Sequence, residues 1–152
     1  MSRSVEILSF SKKPPKDDFI PHVQDGVYTL TYVCHETGTF FKSAQKVVIW
    51  FRVVDLGDNF GKIIPRYYNV KRFKGKKGLN GGFVPGRSSD FIREYCTLFN
   101  NPINRLDRLP MTPFENVLIR GKTRTVTRSG NQKNLPKSLY YSVIDELIDT
   151  DK

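Results

Sequence analysis

The chain has 152 residues, 25 lysines and arginines against 15 aspartates and glutamates, and a formal net charge of +10. This length is typical of one domain with its own core, and the excess of positive charge favours a polyanionic partner. Two cysteines, Cys34 and Cys96, are too few for a secreted disulfide framework, and no apolar run suits a signal core or a membrane span. We therefore expect a cytoplasmic protein with reduced, buried thiols and no membrane partner.

The first half of the chain predicts an arm and then three strands. Residues 1–24 contain three prolines and mixed charges, which is typical of an extended arm outside the core. Residues 27–33 are dense in β-branched and aromatic side chains, which predicts a first strand. Residues 46–54 alternate, so that one face carries the apolar side chains Val47, Ile49, Phe51 and Val53. Turn residues then lead into a third strand at 61–70, where Pro65 requires an edge or a bulge.

The second half predicts one helix and two further elements. Residues 71–87, rich in glycine and lysine, predict a flexible loop. Helix-capping residues precede residues 91–99, in which the apolar positions follow helical spacing. This pattern predicts a short helix. Residues 114–128 predict a long strand bent or bulged at Gly121, and residues 139–148 fit either a strand or a short helix.

This order of elements predicts a mainly β fold, a five-stranded OB-fold-like barrel with one helix between strands three and four. The barrel would cover residues 25–148. Residues 149–152 would form a short acidic C-terminal tip.

Residues 120–128 predict a cationic strand face. Period-two geometry places Arg120, Lys122, Arg124 and Arg128 on one side and the threonines on the other. Same-face side chains lie roughly 6.5–7 Å apart, close to the phosphate spacing of an extended single strand. Because no acid interrupts this face in the sequence, we expect it to bind a polyanion. The alternative is a solvated edge strand whose charges oppose aggregation.

A second basic segment, residues 60–87, is interleaved with aromatic side chains. Its cations are Lys62, Arg66, Lys71, Arg72, Lys74, Lys76, Lys77 and Arg87. Its aromatic residues are Phe60, Tyr67, Tyr68, Phe73 and Phe83. Aromatic rings stack on nucleobases with little sequence preference while cations neutralise phosphates, so this composition predicts a groove for single-stranded nucleic acid. The alternative is that about half of these rings belong to the core.

Trp50, the only tryptophan, is the best single candidate for stacking on a base. It lies beside Arg52 on the strand face opposite the apolar residues of 46–54. The alternative is a tryptophan packed beneath a loop or helix, because large aromatic side chains are buried on average.

Catalytic and metal chemistry is not expected. His22 and His35 are far apart, and adjacent residues such as Cys34 and His35 point to opposite faces of a strand. The carboxylates are scattered along the chain, and the glycines between positions 78 and 86 form neither a P-loop nor a dinucleotide fingerprint. We therefore expect a non-enzymatic protein without a cofactor or metal.

Six segments together carry a resemblance to a known class of protein. They are DGVYTLTYV, KVVIWFRVVD, FGKIIPRYYNV, DFIREYCTLFN, FENVLIRGKTRTVTR and LYYSVIDELI. In their organisation, over about residues 25–148, the chain resembles phage- and plasmid-type OB-fold single-stranded DNA-binding proteins. The resemblance implies that strands two and three and adjoining loops hold the DNA, and it implicates Trp50, Arg52, Arg66, Tyr68 and residues 71–77. It also implies that the acidic tip recruits replication or recombination proteins, although the tip here ends in Lys152 instead of an aromatic residue.

The sequence thus predicts a sequence-tolerant single-stranded DNA-binding protein in replication or recombination of a phage or mobile element. One alternative is an RNA or double-stranded nucleic-acid binder. Another is a basic inhibitor or adaptor that docks on an acidic host protein. A nuclease with dispersed carboxylates is a third, and the sequence does not decide between a monomer and a homo-oligomer.

Overall fold

A computed structural model describes residues 20–40, 44–100, 103–128 and 133–151. In these ranges the protein is mainly β, with the single α-helix α1 at Asp90–Phe99. The strands are β1 (Val27–Phe40), β2 (Ala44–Val53), β3 (Ile63–Asn69), β4 (Arg72–Lys74), β5 (Gly78–Leu79), β6 (Gly82–Val84), β7 (Leu118–Val126) and β8 (Tyr141–Asp151). Short 3-10 turns lie at Leu106–Arg108, Thr112–Phe114 and Lys137–Leu139. Most of the predicted arm, most of the loop after residue 128 and the final Lys152 fall outside the described residues.

The long strands form one antiparallel sheet in the order β3-β2-β1-β7-β8, and β5 adds to β1 beside Glu36 and Thr37. The predicted order of five long strands with a helix after the third is confirmed. The predicted OB-fold-like barrel is not confirmed, because strand pairing in the described residues does not join β3 to β8. Instead, Glu94 of α1 reaches both edges, accepting hydrogen bonds from Tyr68 on β3 and from the Leu147 backbone on β8.

The main core lies on the predicted face of β2. Val47, Ile49, Phe51 and Val53 are fully buried there. Their partners across the core include Phe91 and Tyr95 of α1 and the ring of Phe114, which lies 4.9 Å from that of Phe99. The alternation of 46–54 therefore predicts the core face correctly.

Local capping sets the bounds of α1. The Ser89 side chain accepts a hydrogen bond from the Ile92 amide, and Asn100 ends the helix in the left-handed conformation, which asparagine tolerates. The helix predicted at 91–99 is confirmed, and its apolar side faces the sheet.

The last element, left open between helix and strand, is the strand β8. It pairs with β7, and the ladder is irregular between Arg120 and Gly121 and again between Lys122 and Thr123. The bulge predicted at Gly121 is confirmed. This glycine is buried, and side chains of β1 and β8 occupy the space that a Cβ would need.

Gly121→Ala is expected to destabilise the domain by about 1–3 kcal/mol through overpacking. An added Cβ would lie 2.7 Å from Leu30 Cδ1 and 3.3 Å from atoms of Ile144 and Leu147. Urea denaturation should show this loss of stability as a lower midpoint concentration, while the slope of unfolding free energy against urea concentration stays the same. Gly26→Ala is the matched control, since nothing lies within 4 Å of its Cβ position, and an equal loss in both variants would contradict the packing explanation.

Two expectations about the periphery are wrong. The predicted arm is not wholly outside the core, because Val23 is 3% exposed and its amide donates to Ser142 Oγ (2.9 Å). Cys96 is exposed, whereas Cys34 is buried as expected. Burial raises the pKa of the Cys34 thiol to about 11, and nearby Glu36 acts in the same direction.

No helix in the described ranges is long and apolar enough to span a bilayer.

Candidate nucleic-acid interface

The outer face of β2 is covered, which overturns the expectation that Trp50 offers a stacking surface. Trp50 is 8% exposed and belongs to a second apolar cluster with Val48 and Cys34. Its Nε1 donates to Glu36 Oε1 at 3.0 Å, which satisfies its polar atom. Arg52 on the same face is also 8% exposed, and burial lowers its pKa. These two residues therefore pack within the fold and present almost no surface to a ligand.

Arg66 and Tyr68 are buried as well, in a polar network with Glu94. Arg66 forms a salt bridge to Glu94, its Nε donates to Glu94 Oε1 at 3.3 Å, and the Tyr68 hydroxyl donates to the same oxygen at 2.8 Å. Burial alone would lower the pKa of Arg66, but the hydrogen bond and charge of Glu94 outweigh it and raise the pKa. The expectation that these two side chains are exposed is wrong, because they are buried and their polar groups hold β3 to α1.

The cationic face of β7 has the predicted alternation. Arg120, Lys122 and Arg124 are exposed, and the residues between them are buried. Arg128 lies beyond the strand, where it forms an isolated bridge with Asn134, and its side chain is exposed.

The neighbouring strand β8 supplies acids to this face. Arg120 binds the Asp149 carboxylate through two nitrogens, and Arg124 Nε donates to Asp145 Oδ1 at 2.9 Å. The hydrogen bond from Arg120 lowers the pKa of Asp149. In the strand register Lys122 lies opposite Glu146. The expectation of a face without an intervening acid is therefore wrong, because three acids of β8 accompany its three cations.

Residues 71–84 form a structured surface, which we name the basic ribbon. Its strands β4 and β6 pair in an antiparallel ladder with Phe73 opposite Phe83, so the prediction of a flexible loop is wrong. The ribbon is anchored to the domain by β5 and by Phe83, whose ring centroid lies 5.2 Å from that of Phe91. Its exposed cations are Lys71, Arg72, Lys74, Lys76 and Lys77.

The cations of the ribbon differ from the arginines of β7 in forming no salt bridges with described carboxylates, although Lys74 adds to the effect of Arg105 in lowering the pKa of Asp107. Among the described residues no carboxylate forms an ion pair with these five side chains or with the exposed Arg87. Phe73, between Arg72 and Lys74 on β4, is partly buried, and strand alternation points its ring to the opposite face from those two exposed cations. Lys62 lies apart from the ribbon in the chain, in the β2–β3 connection, where its Nζ donates to Asn59 Oδ1 at 3.0 Å.

A cleft of about 240 Å³ lies between the ribbon and residues 107–111. Lys74, Asn80 and Phe83 form one wall, and Arg108, Leu109 and Met111 form the other. The Lys74 ammonium donates to the Asp107 carbonyl and so ties the two walls together. A second groove of about 390 Å³ shares Arg108 and Leu109 with the cleft and continues past Arg105 and Tyr95.

The arginines of this second wall, Arg105 and Arg108, are candidate ligand contacts that sequence reasoning missed. The segment 102–113 contains three prolines and is interpreted from sequence only as a connection. The available signal is the pair of arginines in NRLDRLP, which flank one aspartate and sit close in sequence to the end of α1. Only the fold shows that this connection packs beside the ribbon.

His35 lies at the base of the cleft, with one ring nitrogen, Nδ1, 2.8 Å from the Tyr32 hydroxyl. Burial lowers the pKa of His35, and a hydrogen bond with the Gly81 backbone opposes this only in part. The folded protein therefore favours the neutral imidazole. Cys34, the adjacent residue in sequence, belongs to the opposite cluster, as the strand alternation predicts.

His35 is expected to make the protein less stable in mild acid. Because its folded pKa is below the ordinary value of about 6.5, the unfolded chain binds more protons as the pH falls through that value. Stability is then lost until the pH passes the lower folded pKa. Urea unfolding at about pH 7.5 and about pH 5 measures this loss, and His35→Asn, which retains an acceptor for Tyr32, should reduce it. An equal acid loss in both proteins would refute the assignment to His35.

Three or more histidine, cysteine, aspartate or glutamate side chains do not cluster as metal ligands anywhere in the described part of the chain. Comparison with protein-family models, with curated protein sequences and with solved structures found no match. The function of the protein is therefore inferred from the contacts and charges of the chain itself.

Proposed function

We propose that the protein binds single-stranded DNA with little sequence preference through the basic ribbon and the cleft beside it. The observation that carries the proposal is the concentration of six exposed cations between Lys71 and Arg87, none of which forms a salt bridge with a described carboxylate. Unpaired like charges repel one another, and a polyanion relieves that repulsion by replacing its own counterions. The partly buried Phe73 adds a ring on which a base can stack.

The proposal extends to the kind of module and its use. An OB-like module is supported by five long strands in the order β3-β2-β1-β7-β8, with α1 bridging the two edge strands, because OB-folds are partly open five-stranded barrels. A role in replication or recombination of a phage or mobile element follows from the resemblance described above. The proposal does not extend to recruitment of partners by residues 149–152, since Asp149 is bound to Arg120 within the sheet.

The test is the anisotropy of a labelled oligo-dT of about 16 nucleotides, titrated over a series of salt concentrations. We expect the logarithm of affinity to fall linearly with the logarithm of salt concentration, with a slope that approaches about −4 if all six cations contact phosphates. A duplex and an RNA of equal length are the comparison ligands. Equal or tighter binding of either would overturn the single-stranded DNA claim. Absent or salt-independent binding would favour docking on an acidic protein.

A further inference from the structure

The cleft has the dimensions of a site for one planar ring. Its volume of about 240 Å³ is below the roughly 300–1,000 Å³ of pockets for drug-sized ligands. Phe83, Leu109 and Met111 supply apolar contact surface on its two walls. The shape and lining suit a single nucleobase better than a dinucleotide or an extended peptide.

Asn80 gives the cleft a hydrogen-bonding group without a function in the fold. Its backbone is left-handed (φ 58°) and its amide N–H donates to the His35 carbonyl at 2.9 Å. Its exposed side-chain amide forms no hydrogen bond with any described residue. That amide carries both a donor and an acceptor, which is what the edge of an unpaired base requires.

The charges at the rim are suited to a phosphate. Among the described residues that line the cleft, Asp107 alone carries a carboxylate, and Arg105 Nε and Nη2 donate to it at 3.0 and 2.7 Å. Lys74 contacts the Asp107 carbonyl and forms no ion pair with a described carboxylate, and neither does Arg108. Two positive charges at the mouth of a partly apolar slot complement a base flanked by phosphates.

We infer that this cleft binds one unstacked base of the DNA strand held by the ribbon, with Asn80 at the base edge and Arg108 at an adjoining phosphate. The inference rests on the proposed function. It also supplies a reason for single-strand preference, because a base inside a duplex cannot enter a slot of this kind without being unpaired.

The methyl group of Met111 is the reporter for the test. The chain has only two methionines, so protein labelled with ¹³C at the methionine methyl groups gives two signals, which Met111→Leu assigns. Oligo-dT is compared with an oligonucleotide of equal length that has the same sugar-phosphate backbone without bases. We expect the Met111 signal to shift with oligo-dT and to stay in place with the abasic strand.

Asn80→Gly removes the amide and keeps a backbone that glycine adopts readily, so affinity for oligo-dT should fall about twofold to tenfold. Affinity for the abasic strand should stay the same. Asn116→Gly is the matched control, since Asn116 is also exposed and left-handed (φ 64°).

Arg108→Gln should lower the salt slope by about 0.7, and Lys137→Gln, with the same charge change, should not.

The outcomes separate the two proposals. Salt-dependent oligo-dT binding with an unmoved Met111 signal, or equal effects of Asn80→Gly and Asn116→Gly, would overturn the cleft and leave the ribbon in place. Binding of neither oligonucleotide would overturn the proposed function and the cleft together.

Discussion

Glu94→Ala is expected to lower the free energy of unfolding by about 3–5 kcal/mol, because it breaks a buried ion pair. The carboxylate is buried, and its oxygens accept hydrogen bonds from Arg66, Tyr68 and the Leu147 backbone. Its removal leaves a buried guanidinium without a counter-charge, and two further donors lose their acceptor. Urea denaturation measures the loss.

Hydrogen exchange tests whether Glu94 holds the two edges of the sheet together. In Glu94→Ala the Leu147 amide should lose protection, because strand pairing in the described residues does not occupy that side of β8. Glu94→Gln preserves the shape and one acceptor and should cost less. Glu146→Ala, which removes a carboxylate that is 48% exposed, is the control and should change stability by less than about 1 kcal/mol. If Glu94→Ala also lowered the free energy of unfolding by less than about 1 kcal/mol, the proposed role of Glu94 in bridging β3 and β8 would be contradicted.

Removal of two cations from the ribbon is expected to weaken DNA binding more than removal of two cations from β7. Lys76→Gln with Lys77→Gln should make the salt slope shallower by about 1.4, at roughly 0.7 per phosphate contact, and should reduce affinity about tenfold at low salt. Both side chains are exposed and unpaired among the described residues, so their loss should leave stability nearly unchanged.

The matched variant is Arg120→Gln with Arg124→Gln, which lowers the net charge by the same two units, from +10 to +8. Because both arginines already bind acids of β8, we expect little change in the salt slope. Salt titration of both double variants decides between the surfaces. A larger effect from the arginine pair would place the DNA on β7 and contradict the ribbon.

Patterns of near neighbours in sequence predicted much of this fold. Alternation over 46–54 identifies the core face of β2, and period two over 118–124 places Arg120, Lys122 and Arg124 outside. Capping residues locate α1 within one residue. Each of these features depends on strand or helix geometry within one segment.

Sequence patterns mispredict a side chain where its burial or pairing depends on a partner far along the chain. Arg66 resembles a surface cation until the fold brings Glu94, 28 residues away, against it. Arg120 resembles a free ligand until Asp149, 29 residues away, pairs with it across β7 and β8. Trp50 belongs to a buried cluster against which Ile20, Phe40 and Tyr67 pack, and these three residues come from different segments of the chain. Net charge can be counted from the sequence. Which cation pairs with which acid on a neighbouring strand depends on the strand register.

Lysine reactivity in the intact protein tests the central claim most directly. Limited acetylation followed by mass spectrometry compares each lysine with and without saturating oligo-dT. We predict that Lys71, Lys76 and Lys77 lose reactivity when DNA binds, whereas the exposed Lys122 of β7 retains it. Protection of Lys122 with unchanged reactivity in the ribbon, or unchanged reactivity of all four lysines, would contradict the account.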